Sequence, residues 1–219
     1  MKNWQFTAAD QEVLQHIMQL RRDVRGNRFC RDEIPAADLD RILQAATWAP
    51  SVGFSQPWQF VLVRDRAVRE KIAASFAEEN RKAAPLFADK KREQYVQLKL
   101  EGILETPLNI AVFYTPSPQP VLGQTSISEV GEYSVVCAVQ NMWLMARALN
   151  IGMGWVSILD PSTVKNVLNA PADHKLVAYL CVGYVTEFCE QPELETLQWE
   201  PRRPLPSVVL TDSYPAPES

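Results

Sequence analysis

The stretch from Val130 to Leu149 limits the fold more than any other part of the chain. It places Val135, Val136, Val139, Met142, Leu144, Met145 and Leu149 around nearly the whole circumference of one helix. A helix apolar on all sides has to be enclosed, by the core or by a subunit interface. The remaining elements must therefore be layered around it. Short apolar runs at Trp58–Val63, Asn109–Tyr114, Gly152–Ile158 and Leu176–Val185 supply candidate strands, the first read as buried.

Other helices follow from periodicity and caps. Thr7 and Asp10 form a capping-box-like start to a helix that runs to about Leu20, with Val13, Ile17 and Leu20 at helical spacing. A second helix begins after Pro35, with Leu39, Ile42, Leu43 and Ala46 on one face. Pro50 and Pro57 bracket an irregular loop. Arg66 to about Lys91 reads as helical but polar, interrupted at Pro85, and Tyr95–Glu105 as a further helical piece stopped by Pro107. Asp160 caps a short helix with Pro161 at its first position. From Gln191 onward six prolines break all periodicity, yet Leu197, Trp199, Leu205, Val208, Val209 and Leu210 persist. That combination suits an arm laid across another subunit. Helices and strands mix without a βαβ rhythm, so the expected class is α+β, in a single domain spanning 1–219 with an arm from about 191.

Several function classes are poorly supplied. A net charge of -4 gives no global attraction to nucleic acid or an anionic membrane. Neither a membrane-spanning run nor an apolar leader core in Met1–Gln5 is present. Cys30, Cys137, Cys181 and Cys189 form no C-x-x-C pair, which suits reduced thiols and a cytoplasmic setting. His16 and His174 lack metal-ligand spacing, so no metal site is expected. There is no G-x-G-x-x-G and no P-loop.

Against that acidic background, Arg21, Arg22 and Arg25 put three guanidinium groups within five residues. They follow a helix end, where cations complement the dipole. Arginine is also the bidentate ligand for phosphate. Spacing alone leaves both readings open.

Two further segments bear on that choice: Ala49-Pro50-Ser51-Val52-Gly53-Phe54-Ser55-Gln56-Pro57-Trp58, and Gly152-Met153-Gly154-Trp155-Val156-Ser157. Together with Arg21-Arg22-Asp23-Val24-Arg25 they resemble the FMN-dependent nitroreductase superfamily. The resemblance implies a mixed sheet flanked by helices in an intertwined homodimer, with FMN at each subunit interface. It implies that Arg21, Arg22 and Arg25 hold the phosphate and ribityl end, that Ser51 and Gln56 lie against the flavin, and that Gly154 to Ser157 approach its ring. Arg203 is a further phosphate ligand by the same resemblance.

Asp23 stands where the superfamily commonly has serine, and Phe54 where it has asparagine. Salt bridging and simple packing would account for each. With the Leu98–Ile103 and Gly154–Leu159 segments, these departures resemble the flavin-fragmenting branch of the superfamily, whose functional residues map onto Asp23 and Ser157. The resemblance then implies that reduced FMN is a substrate, cut with dioxygen to 5,6-dimethylbenzimidazole and erythrose 4-phosphate. NAD(P)H would enter only indirectly, through a separate flavin reductase. The flanking arginines are expected to keep Asp23 ionised, as a base. A polar lid is expected from about Ala77 to Glu105. The alternative is an NAD(P)H-dependent nitroreductase or flavin reductase that retains its FMN; a third reading is a flavin storage protein.

Overall fold

The computed structural model describes residues 3–215; residues 1–2 and 216–219, the ends of the expected domain and arm, lie outside them. The class is α+β. Four strands, β1 (Trp58–Val63), β2 (Leu108–Tyr114), β3 (Gly152–Val156) and β4 (Lys175–Gly183), form one sheet in the order β1-β2-β4-β3. All three pairings are antiparallel. The parallel component of a mixed sheet is confined to an isolated bridge between Asp23 and Met153.

The helices are α1 (Ala8–Leu20), α2 (Ala36–Thr47), α3 (Arg66–Ala83), α4 (Asp89–Gln97), α5 (Val130–Ala148), α6 (Pro161–Val167) and α7 (Glu193–Thr196). Strand alternation sorts the two sheet faces. Ile110, Val112, Leu180 and Val182 pack with Val135, Val139 and Met142 of α5 and with α2 residues Leu39 and Ile42. Ala111, Phe113, Tyr179 and Cys181 face the other way, onto Ile72 of α3 and Val164 of α6. Thus α5 lies on the sheet with most of its girth enclosed, although Tyr133 and Val136 remain exposed.

Local chemistry explains most boundaries. The Thr7–Asp10 capping box starts α1, and Asp160 accepts from the N–H groups of Ser162 and Thr163 to start α6. A turn at Ala84–Leu86, containing Pro85, separates α3 from α4. Two expectations change, and one face is left open. α1 buries none of its residues, so Val13, Leu14, Met18 and Leu20 are an exposed apolar face. β1 is an edge strand in which only Val63 is buried, because no described strand pairs beyond it. The helical piece expected over Tyr95–Glu105 ends at Gln97, and 98–106 is irregular. Among the described residues no helix is long and apolar enough to cross a membrane.

Candidate active site

The arginine segment leaves the end of α1 and runs beside β3. Val24 N–H donates to Met153 O at 3.1 Å, and Gly154 lies so close that a Cβ there would sit 2.1 Å from Val24 O. Glycine at 154 is therefore a condition of this approach. Asp23, held between them, accepts the Trp155 N–H on Oδ1 at 3.0 Å and pairs through Oδ2 with Arg25.

The three arginines divide the two readings left open above. Arg22 is buried and spends its guanidinium on main-chain carbonyls. It donates to Gln19 O at 2.7 Å and Arg21 O at 2.8 Å, and to Cys189 O at 3.0 Å and Glu190 O. It caps the end of α1 and ties down the segment after β4, so the donors expected for an anion are engaged by the main chain. Arg25 donates to Leu100 O at 3.2 Å and Trp155 O at 3.4 Å besides its pairing with Asp23. Among the described residues, only Arg21 of the three makes no side-chain hydrogen bond or ion pair. Its guanidinium carbon lies 4.5 Å from the Trp143 ring centroid.

These residues line a cleft of about 660 Å³. Arg202 lines it too, and its charge acts on Arg21. Arg203 does not; it donates to Ser207 O at 2.8 Å. The tail arginine that lines the cleft is thus Arg202, next to the expected Arg203, a difference that two adjacent arginines in a loop could not reveal. Glu190, Glu193 and Glu195 also line the cleft.

Burial raises the Asp23 carboxyl above its ordinary value; Arg25, the Trp155 N–H and Arg21 pull it back, and Glu193 adds to the rise. The sequence-based expectation that the arginines dominate is corrected, because they are partly engaged elsewhere while the carboxyl is desolvated.

A buried polar chain supports this corner from below. Tyr179 Oη donates to Asn109 Oδ1 at 2.9 Å, Asn109 Nδ2 to Thr106 Oγ1 at 2.7 Å, and Thr106 Oγ1 to Gly102 O at 3.1 Å. Arg69 donates to the Ile103 and Thr106 carbonyls. The braced turn presents Glu101 O to Gly26 N–H at 2.8 Å and Leu100 O to Arg25. Arg69, Asn109 and Tyr179 went unnoticed in the sequence because they sit at ordinary core positions with no motif around them.

The expected lid consists of the end of α3, α4 and the 98–105 loop. Phe87 stacks on Tyr95 at 4.8 Å, and Trp199 of the tail meets Phe87 edge-on at 5.2 Å. Lys91 lies 4.2 Å from the Trp199 ring centroid. The tail is thereby latched to α4.

The other expected site residues are not gathered here. Ser157 is exposed just beyond the end of β3. It lies two residues, about 7 Å of extended chain, past Trp155. Ser51 Oγ accepts the Gln56 N–H at 3.0 Å in a loop preceding β1. Gly53, Phe54 and Gln56 have left-handed φ angles of 54°, 54° and 48°, and Phe54 is 81% exposed, so it closes no pocket among the described residues. β1 and β3 are opposite edges of the sheet. Trp58 is level with Lys175 through Tyr114, whereas Met153 is level with Val182. Three strand spacings and six residues of rise along β2 separate the two corners, roughly 14 Å by 20 Å.

A model of the nitroreductase family matches residues 18–184. The chain is 44% identical over 205 residues to the 5,6-dimethylbenzimidazole synthase of Rhodospirillum rubrum, covering 93% of this chain and 96% of that protein. It is 38% identical over 202 residues to a protein of the same name from Rhodobacter capsulatus, covering 91% and 96%. Among solved structures, oxidized iodotyrosine deiodinase bound to FMN and 3-iodo-L-tyrosine superposes with a TM-score of 0.73. That match is at 22% identity and covers 92% of this chain and 100% of that one.

Proposed function

We propose, from the premise that this chain belongs to the nitroreductase family, that it cleaves reduced FMN with dioxygen to 5,6-dimethylbenzimidazole and erythrose 4-phosphate. The product would serve as the lower ligand of vitamin B12. The observation carrying this reading is Asp23: a desolvated carboxyl fixed by Trp155 and Arg25 at a cleft where, among the described residues, Arg21 and Arg202 keep their guanidinium groups unspent. The synthases at 44% and 38% identity support it.

The residues fit the ligand. Arg21 offers undonated N–H groups for the terminal phosphate, with Arg202 beside it. Gly154 leaves the β3 main chain bare next to Asp23. When bound, reduced flavin supplies the electrons for dioxygen chemistry. The protein's part is to orient, shield and move protons. Asp23 keeps its Oδ1 against the Trp155 N–H, yet each carboxylate oxygen has a second lone pair free to accept a proton. Its raised pKa makes the ionised form a stronger base than a surface aspartate. Ser157 supplies a hydroxyl just past the end of β3 for the ring end.

The acting unit in this reading is a homodimer. Ser51 and Gln56 stand at the far corner of the sheet from Asp23, beyond the reach of one FMN, and a second copy would bring its own corner across. The uncovered apolar face of α1 and the exposed Leu205, Val208 and Val209 of the arm suit that pairing. The four free cysteines suit a cytoplasmic setting, with a separate flavin reductase delivering reduced FMN.

The test is to mix the protein with photoreduced FMN, admit oxygen, and analyse the small molecules by mass spectrometry. 5,6-Dimethylbenzimidazole appearing at the expense of FMN is the expected result. Clean reoxidation to intact FMN would overturn it in favour of a flavin-retaining reductase.

A further inference from the structure

Trp143 projects from α5 into the arginine corner and is 8% exposed. Its Nε1–H donates to Arg22 O at 3.1 Å, its ring face receives Arg21 at 4.5 Å, and its ring lies 6.4 Å from that of Trp155. One indole thus touches the main chain of the arginine segment, its one unspent guanidinium, and the residue whose N–H fixes Asp23. A buried tryptophan packed for bulk alone needs only a partner for its N–H. The stacked guanidinium is the additional feature. An arginine lying on an aromatic face is held through its π-surface, and its in-plane N–H donors stay free for an anion. Arg22, a residue away, shows the contrary case: held by carbonyls, it has its donors consumed.

We propose that Trp143 is the positioning residue for phosphate recognition, aiming the Arg21 guanidinium into the cleft without occupying its donors. This rests on the reading of the cleft as the site for the phosphate of FMN. It assigns to α5, the central helix of the fold, a share in selecting phosphorylated over unphosphorylated flavin.

The experiment compares the affinities of the full-length protein for oxidised FMN and riboflavin by fluorescence titration, in wild type, R21A, W143M, W143F and R21A/W143M. The FMN-over-riboflavin ratio cancels general damage to the fold or ring pocket, which a merely structural role would produce. R21A is expected to abolish most of the preference. W143M, which keeps bulk without a π-face, is expected to lower the ratio about tenfold. W143F, retaining a weaker face, should lower it about threefold, and W143M should change nothing further in the R21A chain. If W143M does not fold, W143F and R21A/W143F carry the same comparison. A ratio lost in R21A but unchanged in the Trp143 variants would overturn the positioning role alone. A ratio unchanged in R21A would overturn the phosphate reading and the positioning role with it.

Discussion

Asp23 Oδ1 and the main-chain N–H of Trp155 are 3.0 Å apart, so the acid is registered against strand β3 by the peptide backbone. Asp23→Asn keeps an oxygen for that bond while removing the charge and the basicity of the carboxylate. The variant is expected to bind reduced FMN with little change and to form less than about a hundredth of the product. Single-turnover product analysis checks this, and near-normal yield would remove Asp23 from the chemistry.

The same carboxyl should leave a trace in stability. Its folded pKa is raised, so folding favours the protonated form. That contribution is complete below the ordinary value of 3.8 and is lost as pH rises through the folded pKa. The melting temperature of wild type minus that of Asp23→Asn should therefore fall as pH increases from about 4. Thermal scans of both proteins across acid to neutral pH give the difference; one that is flat or rising contradicts the desolvated-acid assignment.

Gly154→Ala would place its Cβ 2.1 Å from Val24 O. The segment must then retreat from β3, at a cost of about 1–3 kcal/mol. Denaturant unfolding measures the loss, and the Asp23–Trp155 bond should go with it, so product formation ought to fall more than stability explains. An unchanged midpoint and rate would show that the contact is easily relaxed.

Arg22 and Arg21 should separate cleanly. Arg22→Met deprives the Gln19, Arg21, Cys189 and Glu190 carbonyls of their shared donor. It is expected to cost about 2 kcal/mol or more in stability while largely preserving preference for phosphorylated flavin. Equal loss of that preference in Arg22→Met and Arg21→Ala would return Arg22 to the ligand set.

Ser157→Ala removes an exposed hydroxyl without partners among the described residues. Stability should change by less than about 0.5 kcal/mol, while oxygen-dependent turnover slows. Stopped-flow oxidation traces identical to wild type would exclude Ser157 from the reaction.

Most of the fold was legible because its signals are local. The Thr7 and Asp160 caps and the strand at Trp58–Val63 stand where periodicity put them. What escaped depends on contacts distant in sequence. Which arginine keeps its donors is decided by carbonyls 167 and 168 residues away at Cys189 and Glu190. The rise in the Asp23 pKa comes from burial that charge counting along the chain does not register. α1 has an apolar periodicity, yet the described residues bury none of it.

In the proposed homodimer, the opposite-corner arrangement of Asp23 and Gln56 would make injury to the site a matter of partnership. Were two copies to pair as proposed, a subunit defective at one corner would still lend its sound corner to its neighbour. Chains damaged at different corners would complement one another: a mixed dimer concentrates both faults in one site and leaves the other whole. Random mixing of two inactive variants would then restore about a quarter of the wild-type sites.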